Sequence, residues 1–214
     1  LEKLTKEREM VGLYLSAHPL DDYKIIIDHM CKTQLSELEN LDALKGQEIA
    51  VAGMVVGVQN LMTKTGKPWG KFVLEDYNGT HEFALFSRDY ENFRKYLFSD
   101  YFLFIRGRVQ PRPYNDQELE FRITSMMRLS ELQEAVKEVH VQLAVEEITR
   151  DLIARMGRSV KEAKGNTLLR LNVYDRQAQV SLNLFSKSYK VSLTQGLVSF
   201  FEDNDIKDTV ISVS

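Results

Sequence analysis

A Tyr77-Asn78-Gly79 turn set between two runs of alternating apolar residues constrains this chain more than any other feature. Asn-Gly accepts the left-handed backbone that a tight hairpin needs, so the flanking runs are predicted to be paired antiparallel strands. A long strand-like run, Ile49–Asn60, and a Lys/Gly tip, Thr63–Pro68, come before them. A helical connector, Arg88–Leu97, and two more strand-like runs, Tyr101–Gln110 and Leu119–Met127, follow. Alternation sends Phe72, Leu74, Phe83, Leu85, Leu103, Ile105, Val109, Leu119, Phe121 and Ile123 inward. Phe86 is expected to join them in the core. Gly53, Gly57 and Gly107 permit the coiling that a small barrel demands. Five strands with a helical connector after the third, from Gly46 to Leu129, form the pattern of an OB barrel, a common nucleic-acid platform.

The flanks read differently. Leu1–Leu15 has an amphipathic helical stripe, ended by Pro19, and a second short helix starts at Leu20 or Asp21 and runs through Met30. Beyond the barrel, Ser130–Glu138 is a charged linker or helix. The succession then reads strand Val139–Val145, helix Glu146–Met156, strands Thr167–Tyr174 and Gln179–Phe185, a helix capped by Thr194, and strand Lys207–Val213, with an extra short strand at Tyr189–Ser192. That β-α-β-β-α-β order predicts a small α+β domain of ferredoxin-like type. The fold class is therefore mixed: helices over 1–45, a five-stranded OB barrel over 46–130, a linker over 131–138 and an α+β domain over 139–214.

The net charge of −3 argues against a strongly basic nucleic-acid binder. Residues 46–130 carry 11 basic and 10 acidic side chains, so any hold on phosphates comes from local clusters. The single cysteine, Cys31, excludes an internal disulfide framework and suits a reducing cytoplasm. No apolar run reaches the roughly 18 residues of a membrane span, and no export signal opens the chain. A start at Leu1 rather than Met is read as a piece excised from a longer protein.

Within the barrel, Lys64 and Lys67 at the tip combine with Trp69, the one tryptophan, and with Lys71. Cations beside an aromatic face are what single-strand binding needs; a solvated turn with a packed tryptophan is the plain alternative. Arg106 and Arg108 project from one face of the fourth strand, with Arg112 and Tyr114 in the following loop and Arg122 on the fifth strand. They are a candidate phosphate track, or they pair with Glu118 and Glu120. Phe86 and Arg88, at the end of the third strand, are a weaker version of the same idea, with Phe86 read first as core. His18, His29, His81 and His140 are scattered and give no zinc ligand set. Glu75 and Asp76 suit turn capping better than metal binding. No catalytic residue, metal or cofactor is expected.

The run Val11–Leu20, VGLYLSAHPL, with Glu7-Arg8-Glu9 before it and Asp21-Asp22-Tyr23 after it, resembles a signature of the bacterial DNA polymerase III alpha subunit. The similarity continues through Met62–Phe86, MTKTGKPWGKFVLEDYNGTHEFALF, and into Phe104–Val109, FIRGRV. Ala17 stands where the family typically has glycine, and Val11 where it often has leucine. The resemblance implies the C-terminal part of a replicative polymerase whose acidic catalytic residues lie upstream. It implies a cytoplasmic, replisome-bound piece that holds single-stranded template and docks other subunits, including the tau subunit of the clamp loader. Two other readings stay open. One is the anticodon-binding OB domain of an aminoacyl-tRNA synthetase, and the other is a scaffold that binds only protein.

Overall fold

The computed structural model describes residues 18–113 and 115–213. The helix expected over Leu1–Leu15, the part of the signature before His18, and Tyr114 lie outside the described residues. By internal contacts the described residues fall into two compact units, one of residues 18–21 and 30–130 and one of residues 22–29 and 131–213.

A turn at Asp21–Tyr23 leads into helix α1, Lys24–Met30. His18 sits at that turn. Its Nδ1 accepts from the Leu20 N–H at 3.2 Å, and its own N–H donates to Asp21 Oδ2 at 2.8 Å. Its ring lies 4.3 Å from that of Tyr77, whose hydroxyl donates to Asp21 Oδ1. The histidine of the signature thus ties the segment before the barrel to the hairpin turn inside it.

The barrel is a five-stranded sheet in the order β3-β2-β1-β4-β5. Its strands are β1 (Glu48–Met62), β2 (Pro68–Glu75), β3 (Thr80–Phe86), β4 (Phe102–Arg112) and β5 (Asn115–Arg128). Helix α2, Ser87–Phe93, leads from β3 toward β4. The sheet is rolled: Phe83 on edge strand β3 comes within 6.0 Å of Phe121 on the opposite edge strand β5. β1 serves both halves. Glu48–Met54 pairs with β4 and Met54–Met62 pairs with β2, with a bulge between Val55 and Gly57. Phe72, Leu74, Phe83, Leu85, Leu103, Ile105, Val109 and Ile123 are buried as alternation predicted, with Leu119 and Phe121 packed against them. Leu35, Leu38 and Leu44, from two short 3-10 turns, enter the same core.

The β2–β3 turn is held by Asp76. Its Oδ1 accepts from the N–H groups of Asn78 and Gly79 at 2.8 and 2.9 Å, and its Oδ2 accepts from Leu35 N–H at 2.8 Å. One carboxylate therefore closes the hairpin and anchors the 3-10 segment to it.

In the second unit, helix α3 (Leu129–Ala135) passes directly into β6 (Val136–Ala144), so the strand starts before the predicted Val139. Helix α4 spans Arg150–Glu162 rather than Glu146–Met156. The acidic pair Glu146-Glu147 is in a 3-10 turn, and Thr149 Oγ1 accepts from Leu152 N–H and caps the helix there. β7 (Lys164–Asp175) and β8 (Val180–Val191) form a hairpin, and β8 absorbs the extra strand expected at Tyr189. Helix α5 (Gln195–Asp203), capped by Thr194, and β9 (Lys207–Val213) complete the unit.

The sheet order is β8-β7-β6-β9, with β6 and β7 parallel. A ferredoxin-like sheet would split that parallel pair, so this expectation is corrected. The element order matches, but β8 returns along the free edge of β7 instead of entering between β6 and β7. The direct pair is clamped by Arg170 on β7, which donates to both carboxylate oxygens of Glu138 on β6 at 2.7 Å each. His140 Nε2 adds a 3.2 Å contact to Glu138.

Two outcomes follow for stability. A Cβ at position 53 would fall on the Glu75 carbonyl and the Leu74 side chain. Gly53→Ala is therefore expected to cost about 1–3 kcal/mol in urea unfolding. The hydrogen bonds from Arg170 and His140 hold the Glu138 carboxyl at about 2 instead of 4.5. A depressed carboxyl stabilises the fold above its ordinary value and loses that contribution as pH falls through the depressed one. The difference in melting temperature between wild type and Glu138→Gln should hold steady above about pH 5 and shrink toward about pH 2.

Candidate nucleic-acid interface

With Phe72, Leu74, Phe83 and Leu85 committed inward, period-two geometry puts the residues between them on the outer wall. The register there sets Trp69 opposite Phe86, Lys71 opposite Ala84 and Val73 opposite Glu82. Trp69 and Phe86 stack, with ring centroids 4.9 Å apart and planes 16° from parallel. Phe86 is 52% exposed, which corrects its expected place in the core. Inward neighbours at 83 and 85 leave only the outside for residue 86. The next residue, Ser87, has φ +48°, a left-handed turn that ends the strand at Phe86. Leu61 on β1 lies opposite Trp69 on its other side, and exposed Met62 follows it.

The tip next to this pair is a compact turn. Thr63 N–H donates to the Lys67 carbonyl, Gly66 N–H donates to the Thr63 carbonyl, and Thr63 Oγ1 accepts from Lys67 N–H, each at 2.9 Å. Gly66 has φ +76°, a backbone that suits glycine. Lys64 and Lys67 are exposed on this closed frame. Lys71 lies on the same wall and is engaged by Glu82 at 2.9 Å. Arg88 is exposed in the first turn of α2, two residues past Phe86.

The other predicted residues lie on a different stretch of wall. Arg106 and Arg108 are exposed on the outer face of β4, where β4 pairs with β1 and β5. Arg108 is directly opposite Arg122 on β5, with Glu48 of β1 in register on its other side. Arg106 lies opposite Ser125 and Ala50, its guanidinium 5.2 Å from the Phe104 ring centroid. Among the described residues, Arg106, Arg108 and Arg122 have no ion-pair partner. Glu118 instead pairs with Arg112 at 2.9 Å, and Glu120 accepts from Gln110 at 3.4 Å. The two groups of candidates therefore stand on two stretches of wall, the aromatic–lysine wall of β2–β3 and the arginine wall of β4–β5. Tyr114 is outside the described residues.

His81 belongs to neither wall. It lies beside Phe83, with ring centroids 4.7 Å apart, and burial pushes its imidazole below the usual value. Its neutral form is the favoured one, which suits barrel packing and not phosphate binding. Sequence reasoning set Phe86 beside Arg88 only as a weaker candidate and preferred the core for it. The signal was present in the strand alternation but was outweighed by its hydrophobicity.

Comparison with known proteins matches both parts. Residues 49–129 match a family model described as an OB-fold nucleic acid binding domain. Residues 139–210 match the model of the DNA polymerase III alpha subunit, C-terminal domain. A DNA polymerase III subunit alpha from Saccharopolyspora erythraea is 28% identical over 92% of this chain and 17% of its own length. That of Haemophilus influenzae is 32% identical over 80% of this chain and 14% of its own length. The chain therefore spans less than a fifth of these relatives. Among solved structures, asparaginyl-tRNA synthetase from Pyrococcus horikoshii aligns with TM-score 0.32 and 15% identity, over 46% of this chain and 23% of that one, a likeness too slight to bear on function.

Removing one ring tests the outer placement of the stacked pair. Phe86→Ala should move Trp69 emission to longer wavelength, yet lower unfolding stability by only about 0.5–1.5 kcal/mol, the scale of an aromatic pair. A core phenylalanine would cost about 3–5 kcal/mol.

Proposed function

The chain is homologous to the DNA polymerase III alpha subunits and carries their C-terminal domain beside an OB-fold module, and on that premise we propose that it holds single-stranded template during bacterial chromosome replication. It acts in the cytoplasm as a non-catalytic part of a DNA-directed DNA polymerase. The OB module, residues 46–130, binds DNA. The module of residues 139–214 docks another replisome subunit, and the family resemblance points to the tau subunit of the clamp loader.

The observation that carries the DNA-binding reading is the stacked Trp69–Phe86 pair on the outer wall. A half-exposed phenylalanine offers a flat apolar surface that water wets poorly and a nucleobase covers well. Stacking of this kind is worth about 1–3 kcal/mol per base and accepts any base, because every base has a π-face. Lys64 and Lys67 stand on a turn that its own hydrogen bonds already order, so binding a phosphate there costs little further ordering. Lys71 contributes less, because it must first leave Glu82. Arg88 extends the cationic side past the end of β3. The barrel as a whole is nearly neutral, so affinity depends on this local combination.

The test is titration of Trp69 fluorescence with oligothymidylate at low and moderate salt. Saturating quenching that weakens with salt and exceeds that from a duplex is expected. Phe86→Ala should weaken binding about 5- to 150-fold, the equivalent of one stacked base. Lys64→Ala with Lys67→Ala should lower the salt slope by about 1.4. Preference for a structured RNA loop would favour the anticodon-binding reading. Absence of any binding at low salt, with subunit docking intact, would favour the protein-only scaffold.

A further inference from the structure

We infer that Arg106, Arg108 and Arg122 form a second nucleic-acid site on the barrel, one that takes the phosphodiester backbone and does not read or stack bases. The inference rests on reading the barrel as a nucleic-acid module, and it assigns the arginine wall a role separate from that of the Trp69–Phe86 wall. Three observations carry it. Arg108 and Arg122 are exposed and directly opposite each other across β4 and β5. Like charges in that position repel, and no ion-pair partner among the described residues relieves Arg106, Arg108 or Arg122. The carboxylates of Glu118 and Glu120 on β5 are engaged elsewhere, by Arg112 and Gln110. A bridging anion would relieve the repulsion.

The second observation is a concavity. A groove of about 260 Å³ opens beside Arg106, lined by Lys32, Thr33, Gln47, Glu48 and Ala50. It adds Lys32 as a further cation, with the neutral hydrogen-bonding groups of Thr33 and Gln47, at the end of the arginine row. The third is what this wall lacks. Phe104, the aromatic residue in the row, is buried at 1% exposure, with the Arg106 guanidinium over its ring. With no ring offered to a base, the wall grips charge alone. Charge-only contacts fix position and are indifferent to sequence. Glu48 is the opposing element, a carboxylate in register with Arg108 that weakens the hold on an anion.

The test uses the whole chain and three labelled probes: oligothymidylate, an abasic deoxyribose-phosphate strand, and a duplex. Anisotropy is read against salt. Arg106→Gln/Arg108→Gln/Arg122→Gln should lower the salt slope by about 2 on the abasic strand, from three lost phosphate contacts. It should leave the maximal Trp69 quenching by oligothymidylate unchanged. Glu48→Gln should tighten binding of both the abasic strand and the duplex, a gain that misfolding cannot produce. Unchanged salt slopes on the abasic strand and duplex in the triple variant, with Glu48→Gln also neutral, would overturn the inference. The two walls fail separately: loss of the Trp69 response with the arginine effects intact sinks the stacking reading and leaves this site standing. Competition identifies the source of the backbone. A duplex that occupies the arginine wall without reversing Trp69 quenching is a separate molecule, whereas joint displacement marks one strand running over both walls.

Discussion

The architecture of the barrel depends on one strand being shared. β1 is bonded to β4 along its first half and to β2 along its second, and the bulge between Val55 and Gly57 turns it from one partner to the other. Such a bend needs close backbone approach, and Gly53 provides it where β1 passes over the end of β2. The roll that results brings Phe83 and Phe121 together from opposite edges of the sheet. Both outer walls are defined by this geometry, since each is built around a different half of β1.

The division has a chemical consequence. The β2–β3 wall combines an exposed aromatic stack with lysines on a preordered turn, and one of its cations is engaged by Glu82. The β4–β5 wall has arginines facing each other without a carboxylate between them. A barrel with nearly balanced charge can still present different local fields, because the pairing of Lys71 on one wall and the absence, among the described residues, of ion-pair partners for Arg106, Arg108 and Arg122 on the other do not alter the total. Stacking is largely insensitive to salt, whereas phosphate contacts are strongly sensitive to it. The two walls therefore differ in the property by which they are distinguished.

In the second unit the corresponding constraint is electrostatic. Arg170 and Glu138 join the parallel strands β6 and β7 through a two-pronged contact that suits the planar geometry of both groups. His140 adds to the same carboxylate. Once β6 and β7 pair directly, the tight turn after Asp175 delivers β8 to the remaining free edge of β7. That turn is closed by Asp175 Oδ1, which accepts from Gln177 and Ala178 N–H groups at 2.8 Å.

Local rules made much of this legible in advance. Asn78-Gly79 and the alternation around Phe72 and Phe83 specify a hairpin with a buried face, because turn chemistry and side-chain period are properties of neighbours in the chain. Thr194 marks a helix start for the same reason, whereas the cap at Thr149 went unread and that helix was expected four residues early. Pairing across distance was not legible. Whether β8 enters between two strands or lies outside them depends on which edge is free, and no local pattern records that. Nor does composition reveal that Lys67 and Arg108 face away on separate walls, since the course of β1 decides which cations become neighbours. Phe86 shows the boundary most clearly. Its residue type suggested the core, but it stands two places from outward Ala84 and next to inward Leu85, and the strand register, with Ser87 ending the strand, turned it out against Trp69. The sequence by itself determined the strands, their buried faces and the turns; the tertiary structure alone decided which side chains meet across strands, because those encounters depend on edge choice and barrel closure and not on distance along the chain.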